Sequence, residues 1–325
     1  MNKMSLEKLC DHFSTENLLL MIGLGFDQRS LVALSHFPHK NTVNIAGVAN
    51  VGWSDCNQDS IDKFNKITEN KGLVLGEKSK SIINVADEII GFLDENLKLA
   101  SAVVIDISSL SHELLVVMLG ILHRMQILNK TALLYVGASE YSFNSPNDAV
   151  WLSRGVRSVR SILGFPGEML PSRRLHLIIL AGFEVERASE LIIRCEPTSI
   201  SIGIGKREQS ISESHHEKNK LFFERIDQFI KSNDFDSQEV HHFDFSCVDP
   251  LSTKRQILTH IDNLQLNDRN IVICPLNTKL STVGVVLAAL ERPAIQVCYA
   301  EPEEYNIEGY CKPGNDVSVV FLDKL

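Results

Sequence analysis

VVIDISSLSHELLVVMLGIL, residues 103–122, and IVICPLNTKLSTVGVVLAAL, residues 271–290, share one hydrophobic outline at an offset of 168 residues. Each is a short apolar run, a polar turn and then a longer apolar stretch. A run of four or five apolar residues is too short for a buried helix and long enough for a strand covered on both faces. The stretch after the turn has the length of a crossover helix. Working outward, the same alternation recurs along the chain, with candidate strands at 18–23, 43–47, 73–75, 102–106, 132–136, 175–180, 199–202, 240–243, 271–274 and 295–299. Strands alternating with helical stretches predict an α/β protein with parallel sheets.

Two further blocks repeat in the same order. GLGFDQRSL (23–31) and IILAGFEVERASEL (178–191) both carry a Gly-Phe-acid triplet, from Phe26 to Phe183 an offset of 157, each followed by an arginine, Arg29 or Arg187. YVGASEY (135–141) and YAEPEEY (299–305) place a tyrosine and a Glu-Tyr pair identically at an offset of 164. The unequal offsets fit insertions in loops, where added length costs little. The repeats predict two Rossmann-like parallel-sheet units, an internal duplication forming a pseudodimer. The first is expected over 15–145 and the second over 174–308, with a helical connector at 146–173 and a C-terminal tail at 309–325. In that connector, Arg154, Arg157 and Arg160 stand three apart, as on one face of a helix. That face is either a solvated, domain-bridging surface or one that meets an anion or a partner.

Composition narrows the function classes. The 325 residues are 44% hydrophobic and 22% charged, ordinary globular usage. With 32 basic and 41 acidic residues the net charge is −9, which disfavours bulk, sequence-independent DNA binding. The run 114–122, broken by Gly120, is far short of the ~20 residues a membrane helix needs. The first residues lack the basic start and apolar core of a secretory signal, so a cytoplasmic location is expected. Seven scattered cysteines without a CxxC pair signal neither disulfides nor zinc, and no cofactor or metal is predicted. His215 and His216, in the polar stretch 206–220, have no third ligand at a suitable spacing.

In doubly wound sheets, ligands bind beyond the carboxyl ends of the strands. All three repeated blocks are turns of that kind, so the duplication nominates its own site. Thr278 and Lys279, after Asn277, lie where a helix begins, and unpaired N–H groups, the helix dipole and a lysine together suit a phosphate. The matching turn in the first half holds Asp106, Ser108, Ser109 and Ser111 and no cation; in both turns the polar residues either cap a helix or meet a ligand. Gly25 and Gly182 suit a tight turn with close backbone approach. Asp27 and Glu184 are expected in a first helical turn, and Arg29 and Arg187 either reach a ligand or pair with those acids. Glu140, Tyr141, Glu304 and Tyr305 offer stacking and hydrogen bonds to a base or ribose, or serve as turn residues. GxGxxG, Walker, HExxH and Ser-His-Asp patterns are missing, and no nucleophile is identified.

The strand, NTK turn and apolar helix of the second half resemble the CARF domains of CRISPR-associated sensors, and the tandem arrangement resembles the related SAVED domains, fusions of two CARF-like units. That resemblance implies a nucleotide-like ligand, a cyclic or linear oligonucleotide second messenger, held in a cleft between the halves in an antiviral setting. It implies a sensor whose output lies in an effector subunit, or a nuclease that degrades the messenger. A nucleotide-processing enzyme built on the Asp106 turn and a non-catalytic scaffold remain the alternatives.

Overall fold

Strands buried on both sides must lie inside a sheet, and the runs around residues 20, 104, 178 and 272 are buried along almost their whole length. In the computed structural model, which describes residues 2–13, 17–37, 42–141, 152–233, 239–307 and 311–322, they are central strands of two separate sheets. The chain divides into unit 1, residues 1–150 with 307–325, and unit 2, residues 151–306.

Unit 1 opens with β1 (Asn2–Ser5) and α1 (Leu9–His12), followed by β2 (Leu18–Leu24), β3 (Thr42–Ala49), α2 (Ser54–Ile67) and β4 (Leu73–Leu75). It continues through α3 (Ile82–Asn96), β5 (Ala102–Asp106), α4 (His112–Arg124) and β6 (Thr131–Tyr141). Unit 2 comprises β7 (Ser153–Arg154), β8 (Ser158–Pro166), β9 (Leu175–Leu180), α5 (Val185–Cys195), β10 (Ser199–Gly205) and α6 (Glu213–Ser232). Then come β11 (Glu239–Phe245), α7 (Pro250–Asn263), β12 (Asn270–Pro275), α8 (Lys279–Glu291), β13 (Gln296–Glu301) and β14 (Glu304–Tyr305). The chain returns to unit 1 as β15 (Cys311–Phe321).

The sheet of unit 1 runs β1-β15-β6-β5-β2-β3-β4, and that of unit 2 runs β11-β10-β9-β12-β13-β8. In each, five parallel strands stand in the order third, second, first, fourth, fifth, and an antiparallel strand lies beside the fifth. Both units are therefore Rossmann-like, with the same strand order. The order reverses between β2 and β5, and again between β9 and β12, so each unit has one switch point at its carboxyl edge. Helices α4 and α8 are apolar round most of their circumference and are buried against their sheets.

Three expectations are corrected. The segment 153–166 is not helical: β8 pairs antiparallel with β13, and Arg154 and Arg160 lie in strands, with Arg157 between them. Gly155 at φ +62° and Gly164 at φ +90° interrupt any helix there, while Val156, Ile162 and Phe165 are buried. The C-terminal segment is not a tail: β15 inserts between β6 and β1, with Val317 and Val319 fully buried on alternate positions. The first crossover of unit 1 is not an opened helix at Asp27. Residues there form turns followed by a short 3-10 helix, Leu34–His36, with Leu31 at φ +67°, whereas α5 of unit 2 begins directly after Glu184.

Candidate functional site

At the switch point of each unit the turn after the first strand lies against the turn after the fourth. A Cβ on Gly182 would fall 1.6 Å from the Leu276 carbonyl oxygen, and one on Gly25 would fall 2.7 Å from Asn50 Nδ2 and 3.0 Å from the Ser109 carbonyl oxygen. The repeated glycine is thus required by backbone contact between the two turns. Side chains lace the turns further. Asn277 Nδ2 donates to the Ala181 carbonyl (2.6 Å), and Asn219 on α6 donates to the same carbonyl (2.7 Å). In unit 1, Ser109 donates to the Gly23 carbonyl, and Asn50 donates to the Ser109 carbonyl (2.8 Å) while accepting from Ser111 N–H (2.7 Å).

The helices that follow start alike. Ser111 caps α4 by accepting from Leu114 N–H, and Thr278 caps α8 by accepting from Ser281 N–H, both at 3.1 Å. Thr278 also donates to the Cys247 carbonyl (2.6 Å), so its hydroxyl serves the fold. His112 and Lys279 are the first residues of their helices and both are half-buried. The caps are 167 residues apart, one fewer than the strands before them.

Arg29 and Arg187 adopt the pairing alternative. Arg29, 4% exposed, grips Asp27 side-on: Nε lies 3.1 Å from both carboxylate oxygens and Nη2 2.6 Å from Oδ2. Its Nη1 donates to the Tyr135 hydroxyl (3.0 Å), and the guanidinium lies over that ring at 5.4 Å. Cys311 of β15 reaches Asp27 as well (3.2 Å). Burial pushes Asp27 up, yet the Arg29 guanidinium overrides it and holds the carboxyl below its ordinary range; burial pushes the Cys311 thiol up to about 12. In unit 2, Arg187 is 3% exposed, donates through Nη1 to Glu184 (2.5 Å) and lies over Tyr299 at 5.4 Å. Glu184 is held from its other oxygen by Ser153 of β7.

The repeated blocks therefore meet as one acid–arginine–tyrosine cluster in each unit. Tyr135 and Tyr299, the first residues of the third block, are the partners that sequence reasoning missed, although their identical placement was the available signal. Tyr305 lies in β14, its hydroxyl 3.4 Å from that of Tyr299, and burial raises its pKa. Glu304 is exposed and faces Arg154 in register across β7. Glu140 and Tyr141 end β6 opposite Lys312 and Cys311; their side chains lie outside the described residues.

Asp106 closes β5 and is 2% exposed. Its Oδ1 accepts from Ser108 N–H (2.9 Å) and Ser108 hydroxyl (2.5 Å), while Oδ2 has no hydrogen-bond partner among the described residues. Burial raises its pKa to about 6 against the opposing Ser108 bonds. Ser108 Oγ also accepts from Val136 N–H (2.9 Å), tying β5 to β6. His215 is buried against Phe183 with ring centroids 5.0 Å apart. Among the described residues no three histidine, cysteine, aspartate or glutamate side chains are grouped to hold a metal, and no helix is long and apolar enough to cross a membrane.

No family model matches the chain, and none of the curated proteins does. A solved structure described as the adenylation, ketoreductase and pseudo Asub multidomain structure of a keto acid-selecting NRPS module aligns at 12% identity and a TM-score of 0.23. The alignment covers 86% of this chain and 29% of that one, so this chain spans under a third of its length.

Proposed function

We propose that this chain is a binding module for a phosphate-bearing, nucleotide-like ligand, received at the carboxyl edge of the unit 2 sheet. The observation that carries this reading is Lys279: it is the first residue of α8, directly beyond β12 and beside the β9/β12 switch point. There the N–H groups of the first helical turn and the lysine charge both favour a phosphate. The side chains of Asn277 and Thr278 are engaged with the Ala181 and Cys247 carbonyls, so they shape the turn and Lys279 supplies the charge. The resemblance to CARF and SAVED domains suggests an oligonucleotide second messenger as the ligand, in antiviral signalling, and an effector subunit as the recipient of the signal.

Titration calorimetry with mononucleotides and with cyclic and linear oligonucleotides tests it. Binding in the micromolar range is expected for at least one of them, and Lys279→Ala should weaken it about tenfold or more, the scale of one charge-assisted contact. No heat from any of these ligands, or unchanged affinity in Lys279→Ala, overturns the reading.

A further inference from the structure

An arginine buried to 97% ordinarily has acceptors for its donors, because a buried N–H without one carries its full desolvation cost. Arg29 obeys this rule and Arg187 does not. The guanidinium edge made by Nε and Nη2 presents two parallel N–H bonds, the geometry that matches two oxygens of one anion. In unit 1 that edge holds the Asp27 carboxylate. In unit 2 the acid engages Nη1 instead, and neither Nε nor Nη2 of Arg187 has a hydrogen-bond acceptor among the described residues.

The two copies differ for a legible reason. Asp27 stands two residues before its arginine and Glu184 stands three before. Glu184 is also drawn aside by Ser153. The position of Asp106, a carboxylate close enough to act on Arg29, is taken in unit 2 by Cys274, at the same offset of 168. Arg187 has thus lost both the side-on acid and the second carboxylate. The Tyr299 ring lies against the guanidinium, and Tyr305 comes close from β14. The short β7/β14 sheet carries both Ser153, which holds Glu184, and Tyr305, which acts on this arginine.

From this we infer that the Nε/Nη2 edge of Arg187 is a receptor for a two-oxygen anion, a carboxylate or a phosphoryl group, in the neighbourhood of Tyr299 and Tyr305. The site is distinct from Lys279 and does not depend on the function proposed above. In unit 1 the protein's own Asp27 fills the equivalent place, which makes the first copy an internal picture of the bound state.

The test uses the intact protein and two probes, inorganic phosphate and acetate. In the wild type, the arginine Nε–H resonances are followed by 15N-resolved NMR as each anion is added to tens of millimolar. The Arg187 resonance is expected to move and that of Arg29 to stay. Movement with phosphate alone assigns a phosphoryl group, and movement with acetate assigns a carboxylate. Arg187→Lys keeps the charge and removes the fork, so anion affinity should fall tenfold or more. An Arg187 resonance that ignores both anions overturns the inference, even where the variant fails to fold. So does anion binding that survives Arg187→Lys, including the case in which it is lost in Lys279→Ala, which would leave the Lys279 reading standing.

Discussion

Gly182 and Gly25 occupy the same place in the two copies, yet the cost of a methyl group differs between them. At Gly182 the obstacle is a carbonyl oxygen 1.6 Å away, which moves only if the whole turn after β12 moves. At Gly25 the nearest atom is the Asn50 side-chain amide at 2.7 Å, which can yield by stretching its hydrogen bonds to the Leu24 and Ser109 carbonyls without moving a whole turn. Gly182→Ala should therefore lose about 3 kcal/mol, and Gly25→Ala about 1 kcal/mol, in urea unfolding; equal losses would show that the close approach in unit 2 is not rigid. The need for glycine at both sites was legible in the sequence, because the triplet repeats. Which turn presses on it was not, since residues 182 and 276 meet only through the sheet.

Among elements, the strands of unit 2 carry a buried polar row that the hydrophobic pattern does not announce. His176 of β9 bonds through its two ring nitrogens to Ser199 (2.6 Å) and Ser201 (2.8 Å) of β10, and His260 of α7 reaches the same Ser201 (2.7 Å). One hydroxyl serving two rings donates to one and accepts from the other, so the row is satisfied with neutral imidazoles. Burial lowers the pKa of His176 to about 3 and that of His215 to about 4. Below about pH 6.5 the unfolded chain takes up protons that the folded chain refuses, so stability falls as pH falls. Between pH 7 and pH 5 each of the two should cost roughly 2 kcal/mol in urea unfolding. His176→Gln, with no proton to take up, should remove its own share of that dependence, about 2 kcal/mol; an unchanged pH slope in the variant counts against a buried neutral His176. The apolar central strands were readable because they need no partner chemistry to be recognised. The antiparallel strands β8 and β15 were not, because each is half polar and gains its ladder only from the neighbours it meets.

For the whole molecule, the boundary falls differently from the repeat. Unit 2 is continuous, residues 151–306, whereas unit 1 is closed by residues 307–325 returning to it. Without β15 the edge of β6 is unpaired, and Val317 and Val319 are missing from the core of unit 1. The fragment 151–306 should unfold cooperatively by itself. The fragment 1–150 should do so only when a peptide of residues 307–325 is added, as followed by circular dichroism in urea. Cooperative unfolding of 1–150 alone, unchanged by the peptide, would place β15 outside the stable unit.

The sequence by itself determined the α/β class, the duplication and the turns that face the carboxyl edges, because strand length, helical period and a glycine forced by backbone approach are local properties repeated in order. Only the tertiary structure decided that 153–154 and 158–166 are strands, that 311–321 joins the first sheet, and that the fork of Arg29 holds an acid while that of Arg187 does not. Those outcomes depend on which groups from distant parts of the chain arrive beside one another. A half-polar strand exists only when a neighbour offers hydrogen bonds, and an arginine is satisfied only when an acid reaches the correct side of its fork.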